Sequence, residues 1–591
     1  MPTPNTNSIG VKYSAGGFTA LSTGVKAGGS MATVISHNHA SADAVSIIDS
    51  KIKQHKQEIL ALMTQRNTYA PISRLPPELI TLIFDWYKKV ESISTKFQYS
   101  QPLRWTRCTH VCRLWRTIAL NSPTLWTDID LNHLNWAKEA LVRTRMAALK
   151  ISFQLMGFPG DNSTTELAKD ILRQGSRLKD LSIRSHRPAR GKIEEILRSF
   201  PRSTPNLQSL EITHVSRSTK IICLPSDRLC DAEKLQRLSI TGCGIDWVHH
   251  ILNKKTLTVL KLVNITSTST ISMPQFLQSL GDMRSIQTLE LKNAFSILVP
   301  HHTSMQSQRI ALPSLRVLRL GECPAEILGF FFKHIALGKG VSMEIKSQGT
   351  DESCFMTFLE EISSVLSSNG TDLALCSLRI IKATLTELSM DGFLHQPVEV
   401  VDGETNALVQ DRDRTPFFGL ALTISSVSST QQGALWINAC ATLPLTRVKS
   451  VCWSCEPCIP VEAINSCFGT LPNLDSLTFS CEYSKVYELL LATLPSSEGT
   501  CSTFTFPELR ILTLRDFTLS GNSLAQLIDL LIQRYEGGLE VEKLVIRGCY
   551  EVEDEEIDLL CEVVTDVEWD EMVLASDSDE LTDEGHYATF Y

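Results

Sequence analysis

From Met146 to Trp569 one spacing of apolar residues keeps returning: an apolar side chain, two free positions, a second apolar, one free position, a third. The last two members stand two residues apart, the step of a β-strand with one buried face. Fifteen copies align, from Met146/Leu149/Ile151 through Leu315/Leu318/Leu320 to Val564/Val567/Trp569. Two of them, Gly340/Met343/Ile345 and Gly419/Leu422/Ile424, are weak copies that fill the widest gaps. Successive copies begin 22 to 44 residues apart, near or somewhat above the period of strand-and-helix arrays. Between them lie helical patterns such as Phe276/Leu277/Leu280, Phe358/Leu359/Ile362 and Leu524/Leu527/Leu531. A unit this short cannot bury its own apolar edge, so the copies must stack on their neighbours. The expectation is an α/β chain whose larger part is a curved solenoid, parallel strands inside and helices outside.

The preceding segments read differently. Residues 1–40 are small and polar, a composition that buries too little apolar area to offset ordering entropy, and are expected to be disordered. Over residues 41–70, Val45, Ile48, Ile52, Ile59 and Leu62 recur at steps of three and four, with His55 in the remaining seam position, which predicts an amphipathic helix. Two or three heptads fall short of a sustained coiled coil, so packing on the following domain is the favoured reading and a coiled coil the alternative. Residues 71–131 form a helical block. Pro77 suits a first helical position, where its missing N–H costs nothing, and Glu78 the positive end of the helix dipole. Leu79, Ile80, Ile83 and Phe84 make the stripe of one helix, and Trp105, Val111, Cys112, Trp115, Ile118 and Ala119 a second. The polar stretch Lys88 to Gln101 reads as a loop. The array is assigned 146–574 and an acidic tail 575–591.

Charge and cysteine usage narrow the function. The formal charge is -9, yet sixteen Asp or Glu and no Lys or Arg fall in residues 551–591, leaving 56 basic against 49 acidic side chains (65 less 16) elsewhere. A mildly positive body without a basic stripe argues against nucleic acid, and no apolar run approaches a membrane span. Seventeen cysteines in 591 residues with no export signal are read as reduced thiols of a cytoplasmic or nuclear protein. Cys452, Cys455 and Cys458 have a metal-compatible spacing, with Cys440 or Cys467 as a fourth ligand. Cys452 falls inside a strand copy and the second ligand pair is missing, so no metal and no cofactor is assigned. Cys243, Cys323 and Cys549 each follow a strand by three residues and are read as structural. The phosphate-binding, dinucleotide, hydrolase-elbow and zinc-protease motifs are absent from the sequence, so no catalytic residue is assigned and the chain is read as a non-enzyme.

Residues Ile72-Ser73-Arg74-Leu75-Pro76-Pro77-Glu78-Leu79, Ile83-Phe84, Val111-Cys112-Arg113-Leu114-Trp115-Arg116-Thr117-Ile118-Ala119 and Pro123-Thr124-Leu125-Trp126 resemble, in order, the F-box. The preceding helix with Arg66-Asn67 is similar to the form found in F-box proteins of mushroom-forming (basidiomycete) fungi, and the strand template to the L-x-x-L-x-L of leucine-rich repeats. The resemblance implies a substrate-recognition subunit of a cullin-RING (SCF-type) ubiquitin ligase, bound to a Skp-type adaptor and the cullin core. Its adaptor face would comprise Leu75, Pro76, Pro77, Leu79, Ile80, Ile83, Val111, Cys112, Trp115 and Ile118. The competing reading makes these residues the internal core of a small helical bundle. An unidentified protein substrate would lie along side chains between the buried strand positions: Glu211, Lys261, Glu290, Arg319, Glu344 and Arg379. The alternative is a leucine-rich-repeat scaffold or sensor with no ligase role.

Overall fold

The computed structural model describes residues 31–94, 104–158, 161–186, 189–215, 222–247, 249–265, 273–294, 309–338, 340–349, 352–368, 375–383, 387–393, 418–426, 432–454, 460–480, 486–492, 504–519, 522–550, 552 and 554–570. The chain divides into two compact units, Met1–Asn121 and Ser122–Tyr591.

The first unit is helical: α1 (Met31–Thr68), a 3-10 turn (Pro71–Arg74), α2 (Pro77–Ser94), a 3-10 segment (Arg104–His110) and α3 (Arg113–Asn121). Helix α1 begins inside the stretch expected to be disordered, while residues 1–30 lie outside the described set. Its seam is not packed on the following domain. Val45, Ile48, Ile52, Ile59 and Leu62 are all exposed, and the main contact of α1 within its unit is with the turn that follows it. Helix α2 continues through Lys88 to Ser94, where a loop was expected; Lys88 lays its ammonium 5.8 Å from the centre of the Trp105 ring, and Glu91 lies 4.0 Å from Arg104. Residues 95–101 of that expected loop lie outside the described set. The core of the unit is Ile80, Phe84, Trp105, Cys108, Ile118 and Ala119, with Phe84 edge-on to Trp115 at 5.1 Å.

The second unit is a mixed α/β fold built on a long sheet. Its strands in chain order are β1 (Asp128–Asp130), β2 (Leu149–Leu155), β3 (Leu178–His186), β4 (Ser209–Val215), β5 (Arg237–Thr241), β6 (Val259–Val263), β7 (Thr288–Lys292), β8 (Ile310–Leu312), β9 (Val317–Pro324) and β10 (Ile335–Leu337). They continue with β11 (Ser342–Gly349), β12 (Ser377–Ala383), β13 (Glu387–Phe393), β14 (Phe418–Ser426), β15 (Ser450–Trp453), β16 (Ser476–Phe479), β17 (Ile511–Arg515), β18 (Lys543–Arg547) and β19 (Asp566–Trp569). Strands β8 and β10 pair apart from the rest, and the other 17 form one sheet. All fifteen copies of the template are strands of that sheet. The array starts earlier than expected, because β1 pairs in parallel with β2, while Met146 stays exposed and the buried set of β2 is Leu149, Ile151, Phe153 and Leu155.

Most rungs stack in chain order, parallel and in register: Leu238 beside Leu260, Leu260 beside Leu289, Leu289 beside Leu318. One block departs from sequential stacking. Strand β11 pairs with β14, β14 with β13 and β13 with β12, the last two pairings antiparallel, and β12 with β15. The chain therefore skips two places after β11, returns through β13, and crosses to β15 by the helix Gln432–Thr442. On the buried side, the helix Ala325–His334 packs on β9 and β11, and the helix Arg190–Arg198 on β3.

Six of the strands run into the same turn. Gly242, Asn264, Asn293, Glu322, Asp516 and Gly548, each two residues beyond the last apolar position of its copy of the template, have φ between 45° and 69°. The left-handed residue redirects the chain so that the next side chain, Cys243, Ile265, Ala294, Cys323, Phe517 or Cys549, is buried. Its N–H is used as well: Gly242 donates to the Val263 carbonyl at 2.9 Å and Asn264 to that of Lys292 at 2.8 Å. Burial pushes the Cys243 thiol up to about 12 and the Cys549 thiol to about 11, as neutral packing groups.

Buried polar groups fasten the connections. Arg534 is fully buried and donates to the carbonyls of Leu490, Thr505 and Phe506 at 3.0, 3.0 and 2.8 Å. Burial pulls its guanidinium down to about 10, still charged at neutral pH. His249 sits 3.1 Å from the Pro225 carbonyl through Nε2 and accepts the Ile251 N–H on Nδ1 at 3.3 Å. That pair of contacts requires the neutral Nε2–H tautomer, and burial lowers its pKa.

Two outcomes follow from these turns and caps. At Gly242 an added Cβ would lie 1.9 Å from the His214 carbonyl oxygen, so Gly242→Ala should lower stability by more than about 2 kcal/mol, read from the urea midpoint. The pKa of His214 is also lowered, again chiefly by burial. Both histidines take up a proton more readily unfolded than folded, so stability is full above about pH 6.5 and is lost as pH falls below that value toward their folded pKa values. His249→Gln, which keeps one donor and one acceptor without the titration, should flatten that slope.

Candidate functional site

Helix α2 is apolar on two sides. Ile80 and Phe84 point into the unit and are 1% and 2% exposed. Leu79, Leu82, Ile83, Trp86 and Val90 follow steps of three and four along the other side and are exposed, Trp86 by 70%. Val111 and Leu114, just before α3 and at its start, add to the exposed apolar surface of this unit. A helix with water on one side normally carries charged residues there, so an exposed row that includes tryptophan marks a surface made to be covered.

The ten residues expected on this face separate by burial. Ile80 and Ile118 lie in the core and support the face from beneath. Pro76, Pro77, Leu79, Ile83 and Val111 are exposed, and Leu75, Cys112 and Trp115 are half-buried. Neighbouring Cys108 is buried, and desolvation pushes its thiol up to about 11, so it is a packing group. Leu82, Trp86, Val90 and Leu114 were missed by the sequence reading, although the spacing 79, 82/83, 86, 90 is itself a helical period.

The second unit carries a polar row on the sheet face opposite the buried leucines. Strand pairing aligns Asp130, Ser152, Ser182, Glu211, Ser239, Lys261, Glu290, Arg319 and Glu344 on successive strands. Beyond the inverted block the row continues through Ala421, Asp391, Arg379 and Cys452. All six residues expected to bind a substrate lie in this row, but they are not equivalent. Lys261, Glu290, Arg319 and Glu344 form a continuous ladder: Lys261 to Glu290 3.4 Å, Glu290 to Arg319 3.7 Å, Arg319 to Glu344 3.4 Å. Lys346 extends it, 3.8 Å from Glu344. Glu211 stands apart, accepting from the Ser182 hydroxyl at 3.0 Å and lying 3.6 Å from Arg184. Arg379 lies 5.9 Å from the centre of the Phe393 ring.

The ladder borders a depression of about 200 Å³ lined by Lys261, Glu290, Lys292, Arg319, Leu320, Gly321, Glu344 and Lys346. Four cations and two carboxylates leave its lining positive. These ion pairs are partly exposed and contribute little to folding, so the charges are available to a ligand at small cost.

Cys440 and Cys467 are buried against each other, and their mutual hydrogen bond together with burial pushes the Cys440 thiol well up. Cys452 lies on β15, 3.6 Å from the Ser480 hydroxyl. Cys455 and Cys458 lie outside the described residues. Among the described residues no group of three or more His, Cys, Asp or Glu is placed to hold a metal ion, and no helix is long and apolar enough to cross a membrane.

Comparison with known proteins bears first on the helical unit. A family model described as F-box-like matches residues 72–132, about a tenth of the chain, so the chain carries an F-box-like domain. No curated protein matches it significantly. Among solved structures, the crystal structure of a TLR13–ssRNA13 complex aligns with 71% of this chain at 11% identity and a TM-score of 0.29. The chain spans 45% of that protein's length.

Burial divides α2 into faces that mutation can separate. Phe84→Ala should cost about 3 kcal/mol of stability, whereas Leu82→Ala and Trp86→Ala should each cost under about 0.5 kcal/mol, measured by denaturant unfolding of the full chain.

Proposed function

We propose that this chain is a non-catalytic substrate-recognition subunit of a cullin-RING (SCF-type) ubiquitin ligase, acting in the cytoplasm or nucleus. The observation that carries the reading is the exposed row Leu79, Leu82, Ile83, Trp86 on a domain of F-box-like sequence. F-box domains generally bind Skp-type adaptors, and an apolar helix face is the surface such an adaptor would cover, with Leu75, Pro76, Pro77, Val111, Cys112 and Trp115 alongside.

The second unit is then a leucine-rich-repeat array that holds the target protein. Fifteen copies of one strand template and the recurring left-handed turn support that assignment. Target contacts are assigned to the row from Glu211 to Arg379, centred on the ladder Lys261 to Glu344. Alternating charge favours a partner with the complementary pattern and penalises a shifted one, which gives specificity more than affinity. Catalysis belongs to the partners. A target held close to the charged ubiquitin carrier reacts faster because its lysines are at high effective concentration.

Co-expression of the full chain with a Skp-type adaptor tests this reading. The wild type should retain the adaptor through purification, and Leu79→Asp/Ile83→Asp should weaken it by about 100-fold or more while leaving the unfolding midpoint within the range of other surface variants. A folded wild-type chain that recovers no adaptor would remove the proposal.

A further inference from the structure

Helix α1 is long, and it carries a line of apolar residues left exposed among the described residues. Val45, Ile48, Ile52, Ile59 and Leu62 are between 44% and 66% exposed, and their spacing of three and four places them, with His55, at alternating first and fourth positions of three heptads. A lone helix with such a seam is marginal in water, since helical stability comes mostly from packing an apolar face.

The residues flanking the seam identify the partner. Asp49 and Lys56 run along one side and Lys51 and Glu58 along the other, all exposed. In a parallel pair of α1 helices Lys51 meets Lys56 of the second copy, twice, and His55 meets His55. In an antiparallel pair centred between Lys53 and Gln54, Val45 faces Leu62 of the second copy, Ile48 faces Ile59 and Ile52 faces His55. The flanks then match: Asp49 meets Lys56 and Lys51 meets Glu58, and symmetry makes four opposite-charge contacts. Every layer contains a branched apolar residue. Glu58 is already held toward the seam, 3.2 Å from the His55 Nδ1 and 2.9 Å from the Gln54 amide.

We propose that α1 is a self-association surface through which two copies of this chain form an antiparallel two-helix coiled coil with residues 45 and 62 at opposite ends of the seam. The proposal is independent of adaptor binding, since it uses none of the α2 or α3 residues. In a ligase subunit it would make the assembly bivalent, so that a target with two recognition segments is held by avidity.

Sedimentation equilibrium on the full chain at micromolar concentration tests it. The wild type should be a dimer and Ile52→Lys/Ile59→Lys a monomer with unchanged strand signal in circular dichroism. Lys51→Glu separates the two helix orientations, because the new carboxylate faces Glu58 of the second copy when antiparallel but relieves the Lys51 to Lys56 clash when parallel. The antiparallel pair should weaken by about tenfold on Lys51→Glu and recover in Lys51→Glu/Glu58→Lys. A monomeric wild type, a dimer indifferent to the double lysine variant, or a dimer tightened by Lys51→Glu would each overturn the proposal.

Discussion

The second unit rests on lateral registration. A strand of five residues has two buried side chains, too few to hold it against the entropy of ordering the connection that delivers it. Stability comes from placing Leu238, Leu260, Leu289 and Leu318 side by side, so that each rung completes its neighbour's core. A slip of one residue would turn every buried leucine to the polar face, and the left-handed residue found after six of the template copies resists it by fixing where the chain turns. Among the described residues β19 is the last strand, and it is rich in charge. Asp566 and Glu568 pair with Lys543 at 3.2 and 2.9 Å, and Glu568 also meets Arg547. Those cations hold the Glu568 carboxyl below its usual range, so it stays charged.

This physics explains why the strands could be read from the sequence and their order could not. The template reports which side chains are buried, a local property, and all fifteen copies became strands. Which strand pairs with which is decided by the connections, and a period-two pattern is silent about them. The inversion at β12, β13 and β14 is the consequence. Its trace in the sequence was the longest interval between copies, Leu375 to Gly419, which holds an additional strand, Glu387–Phe393, whose Ser389, Asp391 and Gly392 dilute the apolar alternation. Strand β1 went unread because three residues carry too little pattern. The turn residues were legible in hindsight: Gly242, Asn264, Asn293, Asp516 and Gly548 are residue types that tolerate positive φ, and Glu322 alone is not.

The helical unit shows the opposite balance. Its elements followed from Pro77, Glu78 and the apolar spacing, but sequence alone merged two faces of α2 into one stripe. Leu79, Ile80, Ile83 and Phe84 satisfy a helical period together. Packing of α2 on the Arg104–His110 segment and on α3 decides that Ile80 and Phe84 turn inward and Leu79 and Ile83 outward. The helix is therefore apolar on two sides, and its unit encloses only one of them. The same exposure appears in α1, where the neighbouring domain was the expected cover and supplies none.

Apolar and charged surfaces in this chain are suited to different tasks, and their energetics keep the tasks separate. Covering Leu79, Leu82, Ile83 and Trp86 removes large apolar area from water, which yields a stable contact insensitive to salt. The ladder from Lys261 to Glu344 is already self-neutralised, so replacing one carboxylate partner by another changes little free energy unless the incoming pattern satisfies several rungs together. A contact of the first kind suits a constant component of an assembly. A contact of the second kind releases easily and discriminates by pattern, which under the proposed function is what a receptor needs toward a cargo that must leave once it has been modified.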